Sequence, residues 1–226
     1  MELILYRGIQ VEKEKFEEIR KSIITDGLIF NNNFTDKIYD IKYKHKSLKT
    51  QEIISRKNDI ETSNQIPVLC FGDETCAKIY ALRNLKDKKT LIIKAKINIE
   101  NVVIDSRDFL FKILSNFKNL KNEKKITIIE NMKKVFGAEV EEYFTKINSQ
   151  TELDKIFAIG DLICNDKTIM LNYYCNKLTL KGGYKTKTKH SFFVTSSIAK
   201  DKIQEVYTVK ENFEPPNTDI DFKTLL

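Results

Sequence analysis

Glycine and proline are scarce in this chain, seven and three among 226 residues. With so few residues that break helices or permit tight turns, long helical stretches are expected. Cysteine is also limited. Cys70, Cys76, Cys164 and Cys175 are too few and too scattered for a disulfide framework. Cys70 and Cys76 form no CxxC pair, and no neighbouring histidine completes a zinc set. His45 and His190 are the only two histidines, so no metal site is expected and the thiols read as buried and reduced. No apolar run approaches the ~18 residues needed to cross a bilayer. The start Met1-Glu2-Leu3-Ile4-Leu5 lacks the basic n-region and the long apolar stretch of a secretion signal. A cytoplasmic protein without a membrane partner is the expectation.

What the chain does have is lysine. The net charge of +7 and pI near 9.0 permit binding to polyanions. A lysine-, asparagine- and isoleucine-rich composition also follows from AT-rich coding, so charge alone selects no partner. The length suits a single domain, residues 1–226, able to bury a substantial core.

Leu3-Ile4-Leu5-Tyr6-Arg7-Gly8 opens the chain as a strand over residues 2–6 that ends in a cation and a glycine. Val11 to Thr25 follows with Phe16, Ile19 and Ile23 on one helical stripe, and Gly27 terminates it. Residues 34–64 are mostly polar and read as a loop or a weakly ordered helix able to lie over a cleft. Val68 to Phe71 is a strand, and Gly72-Asp73 turns it into a helix capped by Asp73. On that helix Ala77, Tyr80 and Ala81 are expected to share a face. Residues 91–97 alternate Ile93, Ala95 and Ile97 with Lys94 and Lys96, a strand with one buried face, and 101–104 extends it.

Residues 106–178 change character to a helical insertion with four apolar stripes, around Phe109–Phe117, Ile126–Phe136, Val140–Ile147 and Leu153–Leu162. Strands return at Ser191–Thr195 and Ile203–Val209, spaced as a hairpin, and a loosely packed tail follows from Phe213. Lys181, Lys185, Lys187 and Lys189, with Tyr184 and His190 among them, read either as an electrostatic track for nucleic acid or an acidic protein face, or as a solvated loop.

A strand ending in Tyr6-Arg7-Gly8, followed by Phe71-Gly72-Asp73-Glu74 and a helix bearing Tyr80, resembles the ADP-ribosyltransferase superfamily. The likeness spans residues 2–30 and 66–105, with a weaker echo at 181–210. It implies an α+β fold, a split β-sheet around an NAD cleft, and transfer of ADP-ribose from NAD with release of nicotinamide. NAD would be a substrate, and no metal would take part. The acceptor would be a protein or a nucleic acid. Small transferases of this kind act as toxins or in phage–host conflict, which implies an antitoxin or another regulatory partner. By resemblance, Tyr6, Arg7 and Gly8 would hold the adenosine-ribose and phosphate end. Phe71, Gly72 and Tyr80 would hold the nicotinamide, and Arg7, Phe71 and Tyr80 would line one cleft. The family's later-strand glutamate, which stabilises the oxocarbenium-like centre, would be Glu205. In a second register the glutamate strand is Ser191-Phe192-Phe193-Val194-Thr195, which puts Ser191 at the acid position. The rival functions are an inactive module of the same fold and an unrelated basic nucleic-acid-binding or interaction protein.

Overall fold

A computed structural model describes residues 1–29, 69–83, 85–105, 110–147, 152–181, 187–188, 191–194, 196–209, 212–214 and 216–225. Its spine is β1 (Glu2–Glu12), paired along its whole length with β3 (Lys88–Asn98). Alternation puts Leu3, Leu5, Arg7, Ile9 and Val11 on one face and Ile4, Tyr6, Gly8 and Gln10 on the other. The strand is longer than the 2–6 expected. Val11, assigned from sequence to the first helix, instead pairs with Lys89 and packs with Leu91, Ile93, Phe16 and Ile23. The β-branched Ile9 and Val11 fit a pleated surface better than a helix. The helix α1 (Phe16–Asp26) begins after a 3-10 turn and ends at Gly27, whose φ of 86° suits glycine.

The other strands are β2 (Leu69–Gly72), β4 (Val102–Ile104), β5 (Leu180–Lys181), β6 (Lys187–Thr188), β7 (Ser191–Val194), β8 (Ile203–Tyr207) and β9 (Ile220–Asp221). The helix α2 (Glu74–Leu82) links β2 to β3. A six-stranded sheet has the order β4-β7-β2-β1-β3-β8, antiparallel throughout, and a small second sheet has the order β6-β5-β9. The hairpin expected between β7 and β8 is not formed. β7 inserts between β2 and β4, whereas β8 pairs with β3 at the opposite edge. Burial explains the separation. Phe192 and Val194 are fully buried, as an interior strand requires, while Gln204 and Glu205 are exposed, as suits an edge. The tail is also more ordered than expected, since Ile220 pairs with Leu180 and Leu225 reaches the core.

Among the described residues five helices lie between β4 and β5: α3 (Leu110–Phe117), α4 (Asn122–Phe136), α5 (Val140–Thr145), α6 (Leu153–Asn165) and α7 (Lys167–Cys175). The four apolar stripes correspond to the first four. The fifth follows the polar run Asn165-Asp166-Lys167-Thr168, where Asp166 Oδ1 accepts from Ile169 N at 3.0 Å and caps α7; the sequence reading did not separate it as a stripe of its own. Ile113, Leu114, Met132, Phe136 and Ile163 share one core with Val103, Phe192 and Leu5 of the sheet. The result is a mixed α+β protein in which the helical block completes the core of the sheet rather than hanging from it. No helix among the described residues is long and apolar enough to cross a membrane.

The seam between β1 and β2 is short, because β2 ends at Gly72. Between β1 and β2 the register runs through a single pair, Tyr6 with Gly72. Two residues earlier, at Ile4, the Tyr174 hydroxyl accepts from the backbone N–H at 3.2 Å and lies 3.3 Å from the carbonyl oxygen. A side chain of α7 thus satisfies a strand edge left without a strand partner.

Candidate functional site

The site follows from the Gly72-Asp73 turn. Asp73 Oδ1 accepts from Cys76 N at 2.7 Å, the N-cap expected from the sequence, and folds α2 back over β1. Ala77 and Ala81 press onto the sheet, both buried, against Ile92, Tyr6 and Tyr207. At Gly8 the helix backbone lies so close that a side chain would overlap the Ala77 carbonyl. The Gln10 amide donates to the carbonyls of Ala81 and Arg83, pinning the far end of α2.

Strand register assembles one row across this face. Ser191 on β7 pairs with Gly72, Gly72 with Tyr6, Tyr6 with Lys94 and Lys94 with Glu205. Ser191 and Glu205 therefore stand two strands from Tyr6 on opposite sides, each about 10 Å away at ordinary strand spacing. α2 divides them. At 3.6 residues per turn, with Ala77 and Ala81 facing down, Glu74 and Lys78 lie on one flank and Cys76 and Tyr80 on the other. The Glu74 flank faces β8, where the Tyr207 hydroxyl donates to Glu74 Oε1 at 2.8 Å. The Cys76 flank, on the other side, is turned toward β7, where the Tyr173 hydroxyl accepts from Ser191 N at 3.2 Å.

On the β8 side the charges are already matched. Lys94 Nζ lies 3.0 Å from Glu205 Oε1, and Lys78 Nζ lies 2.7 Å from Glu74 Oε1. The lysine hydrogen bond is the largest influence holding the Glu74 carboxyl below its usual range. Partial burial, helped by the Glu74 carboxylate, pushes the Tyr207 hydroxyl far up, and burial also raises Tyr6. On the β7 side, Asp105 N donates to Ser191 O at 2.8 Å, and Asp105 Oδ2 lies 3.4 Å from Ser191 Oγ. Tyr173 below them is wholly buried, and that burial drives its hydroxyl well above the ordinary range.

Tyr6, Gly72 and Tyr80 are thus brought to one face of the sheet, and Tyr80 is 58% exposed rather than sharing the buried alanine face. Three expectations need correction. Arg7 and Phe71 project to the other face, beside Leu5 and Ile9, and Phe71 is buried in the core, so they line no common cleft with Tyr80. The cause is the tight turn, which carries α2 over the Tyr6 face alone. Gly8 admits the helix backbone, which occupies the space a ligand would need. Glu205 lies on the flank of α2 opposite Tyr80, ion-paired to Lys94.

Within the lysine stretch, Lys181 belongs to β5 and pairs with Asp221 Oδ2 at 3.2 Å, while the backbone of Lys187 belongs to β6. Lys185, Lys189, Tyr184, His190 and the polar segment 34–64 lie outside the described residues. Asp105 and Tyr173 were missed. Asp105 was detectable by the rule that singled out Arg7, a polar residue directly after an apolar strand, Val102-Val103-Ile104. Tyr173 carried no such signal, because it meets Ser191 only through the packing of α7. Among the described residues no group of three or more His, Cys, Asp or Glu side chains could hold a metal ion. Comparison with protein-family models, curated proteins and solved structures returned no match.

Proposed function

We propose that this protein transfers ADP-ribose from NAD to a macromolecular acceptor, releasing nicotinamide, along the β7 flank of α2. The observation that carries the reading is the Tyr6–Gly72 pair. Two segments about sixty residues apart, each bearing part of the resemblance, meet there in register. Tyr80, exposed on the β7 flank of α2, offers its ring to the nicotinamide. The test is release of free nicotinamide from NAD by the full chain, with protein and nucleic-acid acceptors supplied in turn. Base–aromatic stacking contributes roughly 1–3 kcal/mol, so Tyr80→Ala should weaken NAD binding by about 5- to 150-fold in calorimetric titration. Unchanged affinity would remove Tyr80 from the site.

A second reading, an inactive module of the same fold, is favoured by one observation. Ser191, not a glutamate, leads the strand that adjoins β2, and Glu205 is neutralised by Lys94 on the far flank. The two readings separate on turnover. A transferase releases nicotinamide from NAD, and an inactive module, whatever nucleotide, nucleic acid or partner protein it binds, does not.

A further inference from the structure

Lysine is spread along the whole chain, but its acidic partners are not. Toward the C-terminal end of α4, Lys133 lies 3.0 Å from Glu130 and 3.1 Å from Glu141. On the neighbouring helices Lys146 pairs with Glu142 and Lys155 with Glu152. At the other end of α4, where α3 turns into it, residues 112–125 hold five lysines against one glutamate, Glu123. No ion pair among the described residues reaches Lys121, Lys124 or Lys125. These three stand at i, i+3 and i+4, neighbours on one helical stripe. Lys125 reaches back over the corner, its Nζ 5.7 Å from the centre of the Phe117 ring. Lys118 lies in the turn, and the exposed amides of Asn119 and Asn122 stand between the lysines. The fold gains little from this arrangement. The first turn of a helix favours acids, as α5 has in Glu141 and Glu142, whereas α4 sets Lys124 and Lys125 there beside Glu123. AT-rich coding raises the lysine count everywhere and does not sort lysines by partner.

We propose that the α3–α4 corner is a docking surface for a nucleic acid, held through its phosphate backbone. Charge complementarity and the form of the patch select this partner. Lys118, Lys121 and Lys124 recur at every third residue, with Asn119 and Asn122 following the first two. A row of equal point charges with amide donors between them fits a polymer that repeats one phosphate per unit. A protein interface has an apolar centre, and a lipid surface takes an apolar helix face. Among the described residues of α3 and α4, Ile126 is the only large apolar side chain that stands exposed. No exposed aromatic ring lies among the described residues of the corner, so the bases are not stacked and the binding carries no sequence preference. The inference goes beyond the transferase reading and does not depend on it, because the corner holds none of the residues given to NAD.

The experiment titrates a labelled mixed-sequence DNA duplex with the full chain at several salt concentrations. The parent is compared with a triple variant, Lys121→Gln with Lys124→Gln and Lys125→Gln, and with a control, Lys146→Gln with Lys155→Gln. Each lysine–phosphate contact contributes about 0.9 to the slope of log affinity against log salt, so the triple variant should lose about 2.7 from that slope. Between about 50 and about 200 mM salt the parent should then weaken about 40-fold more than the triple variant. The control, whose lysines are matched by glutamates, should keep the parental slope. Arginine at the same three positions keeps the charge and should also keep it, which guards the test against a triple variant that folds poorly. A parental slope in the folded triple variant would overturn the assignment, as would loss of the slope in the arginine variant or in the control. So would a parent that binds no duplex at low salt. Equally tight binding of poly-glutamate would overturn it in favour of an acidic protein face. Binding of phosphatidylserine–phosphatidylcholine vesicles in place of the duplex would overturn it in favour of a lipid surface.

Discussion

Gly8→Ala is expected to destabilise the protein by roughly 3 kcal/mol, at the upper end of the range for overpacking. A Cβ at this position would overlap the Ala77 carbonyl oxygen and come within 2.8 Å of the Ala77 carbonyl carbon and 3.0 Å of the Ala81 Cβ. Backbone atoms of a helix cannot rotate away as a side-chain terminus can, so the whole of α2 must lift. That lift would loosen the contacts of Ala77 and Ala81 with Ile92 and Tyr207, and the Gln10 hydrogen bonds at the helix end. At about 2–4 °C per kcal/mol for a chain of this size, the melting temperature should fall by roughly 6–12 °C. The same variant decides what Gly8 is for. If the glycine served ligand approach, Gly8→Ala would weaken NAD binding and leave the melting temperature within a degree or two of the parent. A melting curve and a calorimetric titration on one preparation separate the two roles.

Much of the architecture was legible in the chain because its signals are local. The Asp73 cap, the glycine stop after α1, and the apolar stripes of α3 to α6 all depend on residues within one or two turns. What stayed hidden depends on pairing between distant segments. Ser191–Phe192–Phe193–Val194 and Ile203–Gln204–Glu205–Val206–Tyr207 both read as strands, and proximity in sequence suggested a hairpin. The stronger burial of Phe192 and Val194 draws the first to the interior and leaves the second at an edge. The candidate site changed for the same reason. Arg7 and Tyr80 stand out by residue type and spacing, but which face each takes is set by the side on which α2 folds back. Period-2 alternation puts Arg7 and Tyr6 on opposite faces, against the expectation that both hold one end of the ligand; only the packing of Ala77 on Gly8 decides which of those faces the helix covers.

Tyr173→Ala should be the most damaging single truncation in the helical block, and its pattern of effects would show how that block bears on the site. The ring is 1% exposed, with centroids 5.2 Å from Phe136 and 5.3 Å from Phe192, so it bridges α4 and β7. Removing a buried aromatic ring costs about 3–5 kcal/mol through lost burial and the cavity left behind. A second loss comes from the hydroxyl, since Ser191 N would be left without its acceptor at the head of β7. Leaving a buried donor unmade costs roughly 1–3 kcal/mol. Tyr173→Phe isolates that second part, because it keeps the ring and its neighbours. Chemical denaturation should therefore rank the parent above Tyr173→Phe and Tyr173→Phe well above Tyr173→Ala. A Tyr173→Phe midpoint equal to the parent's would mean that the Ser191 N–H is satisfied elsewhere. The hydroxyl would then carry no part of the placement of Ser191 and Asp105, and the helical block would support the sheet by packing alone.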